Sequence, residues 1–231
     1  MTTRTAARSR PTGWLPFALL ALVLFPAIAG TLRLVELAGG PHLLPENPRM
    51  TASPVPVVVH IICAVAYALL GAFQFAPGIR HRHPGWHRIA GRGAVGLGLA
   101  VAASGLWMTL FFARQPGTGE LAFVFRIAFG FSMAAFILVG LSAVRRGDVS
   151  RHRAWMARAY ALALGAGTQV FTQGFGEALF GVTELTNDLA LGAGWVINLA
   201  VAEHFIHRGG HHGGDRTGGK ANALADKVGT S

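Results

Sequence analysis

The sequence predicts an all-α protein of the membrane-embedded class, a helical bundle with six transmembrane helices and both termini in the cytoplasm. Of its 231 residues, 52% are hydrophobic and only 13% charged, with a mean hydropathy of +0.45, whereas a soluble domain is about 25% charged. The apolar residues form long runs, and the basic residues alternate between the segments joining them. These observations exclude a soluble enzyme, a disordered chain and a nucleic-acid-binding domain, despite the net charge of +10.

Six apolar runs have about the 20 residues that a helix needs to cross a bilayer. They are Trp14–Leu32, Val55–Ile79, Gly93–Ala113, Leu121–Val144, Ala159–Val182 and Leu189–Ile206. They predict a transmembrane domain over 14–206, after a basic amino-terminal segment 1–13. The Gly-rich, charged tail 207–231 has too few apolar residues to pack, so we expect it to be disordered. Core helices of a soluble bundle would show amphipathic faces, and these runs do not.

The basic residues predict the orientation of the six helices, because cytoplasmic segments of membrane proteins carry the excess of Lys and Arg. With the amino terminus inside, the cytoplasmic segments hold Arg4, Arg8, Arg10, Arg80, Arg82, Arg88, Arg92, Arg145, Arg146, Arg151, Arg153, Arg158, Arg208, Arg216, Lys220 and Lys227. The opposite side holds only Arg33, Arg49, Arg114 and Arg126. The predominance of Arg over Lys, with many Ala and Gly, favours a bacterium with a G+C-rich genome, and hence the bacterial cytoplasmic membrane.

The first run has a second interpretation. Its basic start, apolar stretch and Ala27-Ile28-Ala29 resemble a secretory signal peptide with a small-residue cleavage site. Cleavage before Gly30 would leave five spans. Pro16 and Pro26 also fit a kinked membrane helix, and the run is long for a signal peptide, so we favour the transmembrane helix.

An outer group of polar residues lies within the predicted bilayer, where ionisable groups are costly and therefore mark function or a specific partner. At about 1.5 Å per residue, His60, Arg126 and Glu177 lie at similar depth on the second, fourth and fifth helices. We expect an Arg126–Glu177 ion pair, with His60 as a third member. Gln169, Gln173 and Glu177 recur every four residues and share one helix face. That face predicts either a lined pathway or a packed seam joined by hydrogen bonds.

An inner group is expected at the cytoplasmic boundary. Its members are His87, Arg88, Arg92, His152, Arg153, Arg158, Glu203 and His204. Such clusters commonly meet anionic lipid headgroups. A b-type haem held by His87 or His152 together with His204 is the alternative, although the neighbouring Arg residues oppose a metal cation, so no metal site is assigned. Arg158 is expected either to reach lipid phosphates or to pair with Glu203.

A glycine-rich pattern and the single cysteine exclude further kinds of site. Gly91-Arg92-Gly93-Ala94-Val95-Gly96 has the letters of a dinucleotide-binding fingerprint, but it follows no strand and opens a membrane helix. Ala94, Gly98 and Ala102 instead predict a small-residue face for close helix packing. The single cysteine, Cys63, excludes an intrachain disulfide, a Cys-rich zinc module and an iron–sulfur site.

Two strings of residues resemble a bacterial membrane-protein family. The first is His87-Arg88-Ile89-Ala90-Gly91-Arg92 followed by Ser104-Gly105, and the second is His152-Arg153-Ala154-Trp155-Met156-Ala157-Arg158-Ala159-Tyr160-Ala161-Leu162. The family is domain of unknown function 2306. The resemblance covers about 60–203, with the Trp195–Asn198 stretch and Glu203. Many members place an Arg soon after a Thr in the fifth helix, whereas here Gln169 and Val170 follow Thr168. The resemblance implies a fold and no established activity.

Three classes of function fit the sequence, and whether any reaction is catalysed stays open. The first is a non-enzymatic module that binds a small ligand, lipid or quinone, or supports a partner, using the two polar groups. The second is a single-haem redox protein using the inner-face histidines. The third is a small proton-coupled transporter with His60 and Glu177 on its path, for which no inverted repeat is evident. The expected partners are the lipid bilayer and anionic cytoplasmic headgroups, with no nucleic acid. The small-residue faces permit a homo-oligomer.

Overall fold

The computed structural model describes residues 15–75 and 82–228, with side-chain environments for 16–75 and 82–208. In these ranges the chain forms eight helices. They are α1 (Leu15–Leu37), α2 (Pro48–Ala52), α3 (Pro54–Gln74), α4 (Pro84–Phe111), α5 (Glu120–Arg145), α6 (Val149–Ala163), α7 (Gly165–Phe180) and α8 (Glu184–Val228). The amino-terminal segment 1–13 and the last residues of the second predicted run, 76–79, lie outside the described ranges. The bounds of α8 include much of the tail 207–231, whose predicted disorder stays a prediction.

Five helices in the described ranges are long and apolar enough to cross a membrane. They are Pro16–Leu37, Pro54–Gln74, Pro84–Phe111, Glu120–Arg145 and Glu184–Arg208. Most of their surface is exposed and apolar, with Phe25, Phe111 and Phe131 each more than half exposed, as expected of side chains that face lipid. The chain is therefore an all-α, multi-pass membrane protein whose helices contact the bilayer.

The fifth predicted run, Ala159–Val182, differs from the other five because it is not one helix. It is divided between α6 and α7 at Leu164. The Gly167 N–H donates to the Leu164 carbonyl at 3.0 Å, an i→i+3 bond that tightens the turn. Glycine is a poor helix former, and Gly165 and Gly167 follow the junction directly. Neither α6 nor α7 alone has the length of a span.

The described residues up to Arg114 form one compact unit, unit 1, which contains α1 to α4. In it α3 packs against both α1 and α4. Small residues are prominent among the buried residues of both helices: Ala68, Gly71 and Ala72 on α3, beside Val57 and Tyr67, and Ala94, Gly98 and Ala102 on α4, beside Val101 and Ser104. Small side chains allow close approach of helices in lipid. The small-residue face predicted on α4 is confirmed.

Residues 115–231 form unit 2, in which α8 packs against α5, α6 and α7 and α5 also packs against α6. The link between α5 and α6 is short because Gly147, at φ +81°, ends α5 while Asp148 caps α6. The Asp148 N–H donates to the Ala143 carbonyl at 3.0 Å, the long bond of a Schellman motif. Hydrogen bonds from the Arg151 N–H and the Ser150 hydroxyl to the Asp148 carboxylate hold the pKa of Asp148 below its usual value.

Candidate functional site

The junction of α6 and α7 is braced by two side chains of α8. The Asn198 amide donates to the Ala161 carbonyl at 3.1 Å, and Asn198 Oδ1 accepts from the Thr168 hydroxyl at 2.7 Å. The Trp195 indole lies directly against Gly165. Lipid offers no water to a backbone group freed by a helix break, so a neighbouring helix must bind it. Asn198 does so here.

The polar face predicted on the fifth run consists of Gln169, Gln173 and Glu177. Of these three residues, Gln169 is the one that contacts α8. Gln169 Nε2 donates to the Leu191 carbonyl at 3.0 Å, and its side chain lies against Gly194. Further along α7, Gln173 is half-buried and Glu177 is exposed. At Gln169 this face is a packed seam joined by a hydrogen bond.

The predicted Arg126–Glu177 ion pair was wrong. Arg126 donates to Gln115 Oε1 at 3.1 Å, and Glu177 has no ion-pair partner within the ranges that the structure describes. The physical reason is the packing of unit 2: α7 packs on α8, whereas α5, which carries Arg126, packs on α6 and α8. His60 belongs to unit 1, so its neighbours are described within that unit.

Arg158 of α6 forms a bidentate ion pair with Glu203 of α8. The two N···O distances are 2.5 Å and 2.8 Å, and the guanidinium carbon lies 4.6 Å from the centre of the Trp155 ring. His207 Nε2 is 3.7 Å from the second Glu203 oxygen. Of the two roles predicted for Arg158, pairing with Glu203 is the one the structure forms.

The remaining inner residues are not gathered into one site within either unit. In unit 2, His152 Nδ1 is 2.9 Å from the Gly140 carbonyl, while Arg153 and His204 are exposed. In unit 1, His87 is half-buried, and Arg88 and Arg92 are exposed. Among the described residues, no group of three or more His, Cys, Asp or Glu is placed to hold a metal ion.

The first turns of α8 hold the loop that precedes α5. Asp188, which is only 2% exposed, accepts the Gly119 N–H at 3.0 Å and 3.2 Å with its two oxygens. Asn187 donates to the Gly117 carbonyl at 2.9 Å. Sequence reasoning missed Asp188 and Asn187, and it named Asn198 only as the end of the Trp195–Asn198 stretch, without a role. The available signal was the presence of polar side chains in and beside an otherwise apolar run.

In unit 1, His60 of α3 is joined to Ser104 of α4. His60 Nδ1 lies 3.0 Å from Ser104 Oγ, which itself lies 2.6 Å from the Ala100 carbonyl and 3.1 Å from that of Val101. The ring lies beside Gly105, where an added Cβ would be in ordinary van der Waals contact with His60 Cε1, at 3.4 Å. The sequence shows Ser104 only as part of the Ser104-Gly105 pair, which does not predict His60 as its partner.

A second polar group closes the end of α1. Arg33 and Glu36 are both buried and pair at 2.6 Å. Arg33 also donates to the Pro45 carbonyl at 2.9 Å, and Glu36 lies 2.9 Å from His42 Nδ1. These contacts tie the segment after α1 back onto the helix.

An apolar groove of about 480 Å³ lies beside this group, between the end of α1 and the start of α3. It is lined by Leu34, Leu37, Ala38, Pro54, Val55, Val58, Val59 and Ile62. Its walls are almost entirely apolar.

A family model described as a predicted membrane protein, domain of unknown function 2306, matches residues 57–206. The chain belongs to this family. The matched range covers most of α3 and all of α4 to α7, and within α8 it includes Trp195, Asn198 and Glu203. No curated protein and no solved structure gives a match to the chain. This domain of unknown function 2306 protein is thus a multi-pass membrane protein whose family carries no assigned activity.

The polar residues of the family region, 57–206, differ in how many of their hydrogen-bonding groups are engaged. Asn198, Asp188 and Glu203 have their hydrogen-bonding groups engaged by neighbouring helices or loops. The hydrogen bond that His60 forms within the described residues joins its Nδ1 to Ser104 Oγ. The apolar groove lies partly in this region, through Val58, Val59 and Ile62, and partly before it, through α1.

Proposed function

We propose that this protein is a non-enzymatic, six-crossing protein of the bacterial cytoplasmic membrane that binds the apolar chain of a membrane amphiphile, a lipid or a quinone. The observation that carries the proposal is the groove between α1 and α3. Its volume of about 480 Å³ falls within the range of small-molecule sites, about 300 to 1,000 Å³. An apolar cleft open to a bilayer is filled by whatever apolar chain the bilayer supplies, because water does not compete there.

The engaged polar groups of unit 2 support placing the ligand in unit 1. Four residues of α8 form hydrogen bonds within the bundle. They are Asp188, Asn198, Glu203 and Leu191, whose carbonyl accepts from Gln169. Groups used in this way stabilise a fold and are not available to a ligand. The groove, by contrast, opens at the surface of unit 1, where Val55 is 70% and Ile62 53% exposed.

The sixth crossing in this proposal is made by α6 and α7 together. Their combined run, 149–180, is long enough to span a bilayer at about 1.5 Å per residue, and the bonds from Asn198 and Thr168 compensate the break at Leu164. An even number of crossings places both termini on one side, as the distribution of Lys and Arg favours. The basic segments on that side would then meet anionic headgroups.

Cysteine labelling tests this topology. In a Cys63→Ser background, an impermeant maleimide applied to intact cells should label a cysteine at Thr183, after α7, and not one at Ser150, before α6. Labelling of both positions from the same side would overturn the six-crossing arrangement.

Filling the groove tests the ligand. Val58→Trp should block the cleft, whereas Val124→Trp adds the same ring at a lipid-exposed position of unit 2, where Val124 is 53% exposed. We expect cross-linking by a photoactivatable fatty acid, located by peptide mass spectrometry, to map to residues 54–62 in the wild type. It should fall at least fivefold in the Val58 variant and stay unchanged in the Val124 variant. Equal cross-linking in all three proteins would refute the groove as a binding site.

A further inference from the structure

The groove between α1 and α3 is closed at one end, where the two helices touch. Its α1 wall is formed by Leu34, Leu37 and Ala38, and Gly30 continues the same helix face one turn deeper. At that level a Cβ on Gly30 would lie 2.8 Å from Ile61 Cγ2 of α3. Carbon atoms in contact are about 3.5 to 4.0 Å apart, so no space is left there. Gly30 and Ile61 are the floor of the groove.

The open end of the groove lies at the membrane boundary. Ala38 and Pro54 line it there, and the candidate spans of α1 and α3 end and begin at the same level. The floor lies eight residues before Ala38 on α1 and seven residues after Pro54 on α3. At about 1.5 Å per residue, the two walls agree on a depth of about 11 to 12 Å.

This depth limits the length of the chain that the groove can hold. Each carbon of an extended alkyl chain adds about 1.3 Å, the projection of a bond of about 1.52 Å onto the chain axis. A depth of about 12 Å therefore takes about nine carbons. One leaflet of the hydrocarbon core is about 15 Å thick and takes about twelve. A full-length lipid chain with its head at the boundary is thus longer than the groove.

We propose that the groove selects amphiphiles whose alkyl chain has about nine or ten carbons, and that Ile61 sets this limit. The proposal rests on the proposed function, because it takes the groove to bind a chain and adds the length of that chain. A chain of this length fills the groove down to the floor. A longer chain must bend out past Ile61 into lipid, which leaves the deepest part of the groove with fewer packing contacts.

Fatty acids with a diazirine at the end of the chain test this limit, because the diazirine reports where the chain ends. In nanodiscs of the wild type, a ten-carbon probe should cross-link the peptides that contain Gly30 and Ile61. A sixteen-carbon probe, at equal content in the nanodisc lipid, should label these peptides about fivefold less, since its end lies beyond the floor. Cross-links are located by peptide mass spectrometry.

Ile61→Ala lowers the floor, because it removes the Cγ2 atom that faces Gly30. The removed carbons extend about 2.5 Å, so strongest labelling should shift from about ten to about twelve carbons. Ile61→Val keeps a Cγ2 atom and should retain the wild-type preference. Ile28→Ala makes the same change as Ile61→Ala at a position of α1 that is 52% exposed, and it should also leave the preference unchanged.

A second variant changes the depth in the opposite direction. Ile62 lines the deep end of the groove and is 53% exposed, so a larger side chain there does not overpack the helices. Ile62→Trp fills the deep end and should shift the strongest labelling to probes shorter than ten carbons. This variant decides the question by itself if Ile61→Ala does not fold.

The outcomes distinguish the length limit from the proposed function. Equal labelling of the floor peptides by all probe lengths in the wild type would overturn the limit and leave the groove as a chain-binding site. An unchanged length preference in Ile62→Trp would do the same. If Val58→Trp and Val124→Trp both cross-link as the wild type does, the groove binds no chain, and the length limit fails with it.

Discussion

Units 1 and 2 solve the same problem, joining helices in a solvent as apolar as their side chains, in different ways. Unit 2 uses polar contacts along α8, from Asp188 through Asn198 to Glu203. In unit 1 the packed faces of α3 and α4 bury several small residues, and a hydrogen bond joins His60 to Ser104. Burial of apolar surface gives little driving force between helices in lipid, so packing and interhelical hydrogen bonds must supply it.

The two units differ in how far their polar groups are used in packing the helices. A polar group bonded within the bundle stabilises the fold and cannot also bind a ligand, which describes α8. In unit 1 the outward surface of α1 and α3 carries the apolar groove. Under the proposed function, unit 2 is the scaffold and unit 1 carries the binding surface.

The largest expected difference between the units is in the unfolding free energy lost when a methyl group is added where helices pack. Gly165→Ala in unit 2 places its Cβ against the Trp195 indole, whereas Gly105→Ala in unit 1 places it at an ordinary 3.4 Å from His60 Cε1. Overpacking should cost Gly165→Ala about 2 to 3 kcal/mol of unfolding free energy. Gly105→Ala should be neutral or slightly stabilising, since Ala is the better helix former.

The measurement for this pair is SDS-induced unfolding of the purified proteins. Gly174→Ala serves as the control for helix propensity, because it lies on the same helix as Gly165 and nothing lies within 4 Å of its added Cβ. Equal stability of the Gly165 and Gly174 variants would show that the junction is loosely packed and would remove the contrast between the units.

A smaller effect is expected from the Arg158–Glu203 pair. Glu203→Gln removes the charge and one strong acceptor from a bidentate pair, but the side chain of Glu203 is 36% exposed, so we discount the loss to about 1 kcal/mol. Glu177→Gln makes the same chemical change at an exposed site that has no ion-pair partner among the described residues and should change stability by less than about 0.3 kcal/mol. Thermal unfolding in nanodiscs compares the two. A larger loss at Glu177 would indicate a partner for that carboxylate and would revive the proton-path alternative.

The smallest effect concerns acid stability at the start of α6. The pKa of Asp148 is held below its usual value by hydrogen bonds from Arg151 and Ser150. A carboxylate with a lowered pKa stabilises the folded state above the unfolded-state pKa, and that contribution is lost as pH falls through the folded-state value. The protection factors of the amides at 149–152, which compare their exchange with that of an unfolded chain at the same pH, should therefore fall below about pH 4 in the wild type. In Asp148→Ala the protection factors should be lower already at neutral pH, with no further acid step. An acid step that persists in Asp148→Ala would assign it to another group.

Much of the fold could be predicted because it depends on local pattern. The apolar runs predicted the five candidate spans, and the spacing of Ala94, Gly98 and Ala102 predicted a buried face on α4, as the structure has it. The division of the fifth run could not be predicted with the same rule, because Gly165 and Gly167 weaken a helix without saying whether a neighbour will compensate the break. That depends on Asn198, some 30 residues further along the chain.

The candidate site shows the same limit more strongly. Depth along a helix suggested the Arg126–Glu177 pair, but depth says nothing about the rotation of each helix, and rotation decides which side chains meet. Arg158 and Glu203 were offered as a pair only as one alternative, and the structure selects it. Ser104 was known as a residue of a motif, and only its distance to His60 revealed its use.

The sequence by itself determined the solvent of this protein, its helical character and the side of the membrane that its charges favour, because these follow from composition and from the length of apolar runs. Tertiary structure alone decided which polar groups are engaged and which stay open. A hydrogen bond requires two particular atoms within about 3 Å of each other, and that proximity between residues as distant as Ala161 and Asn198, or His60 and Ser104, arises only when the helices pack.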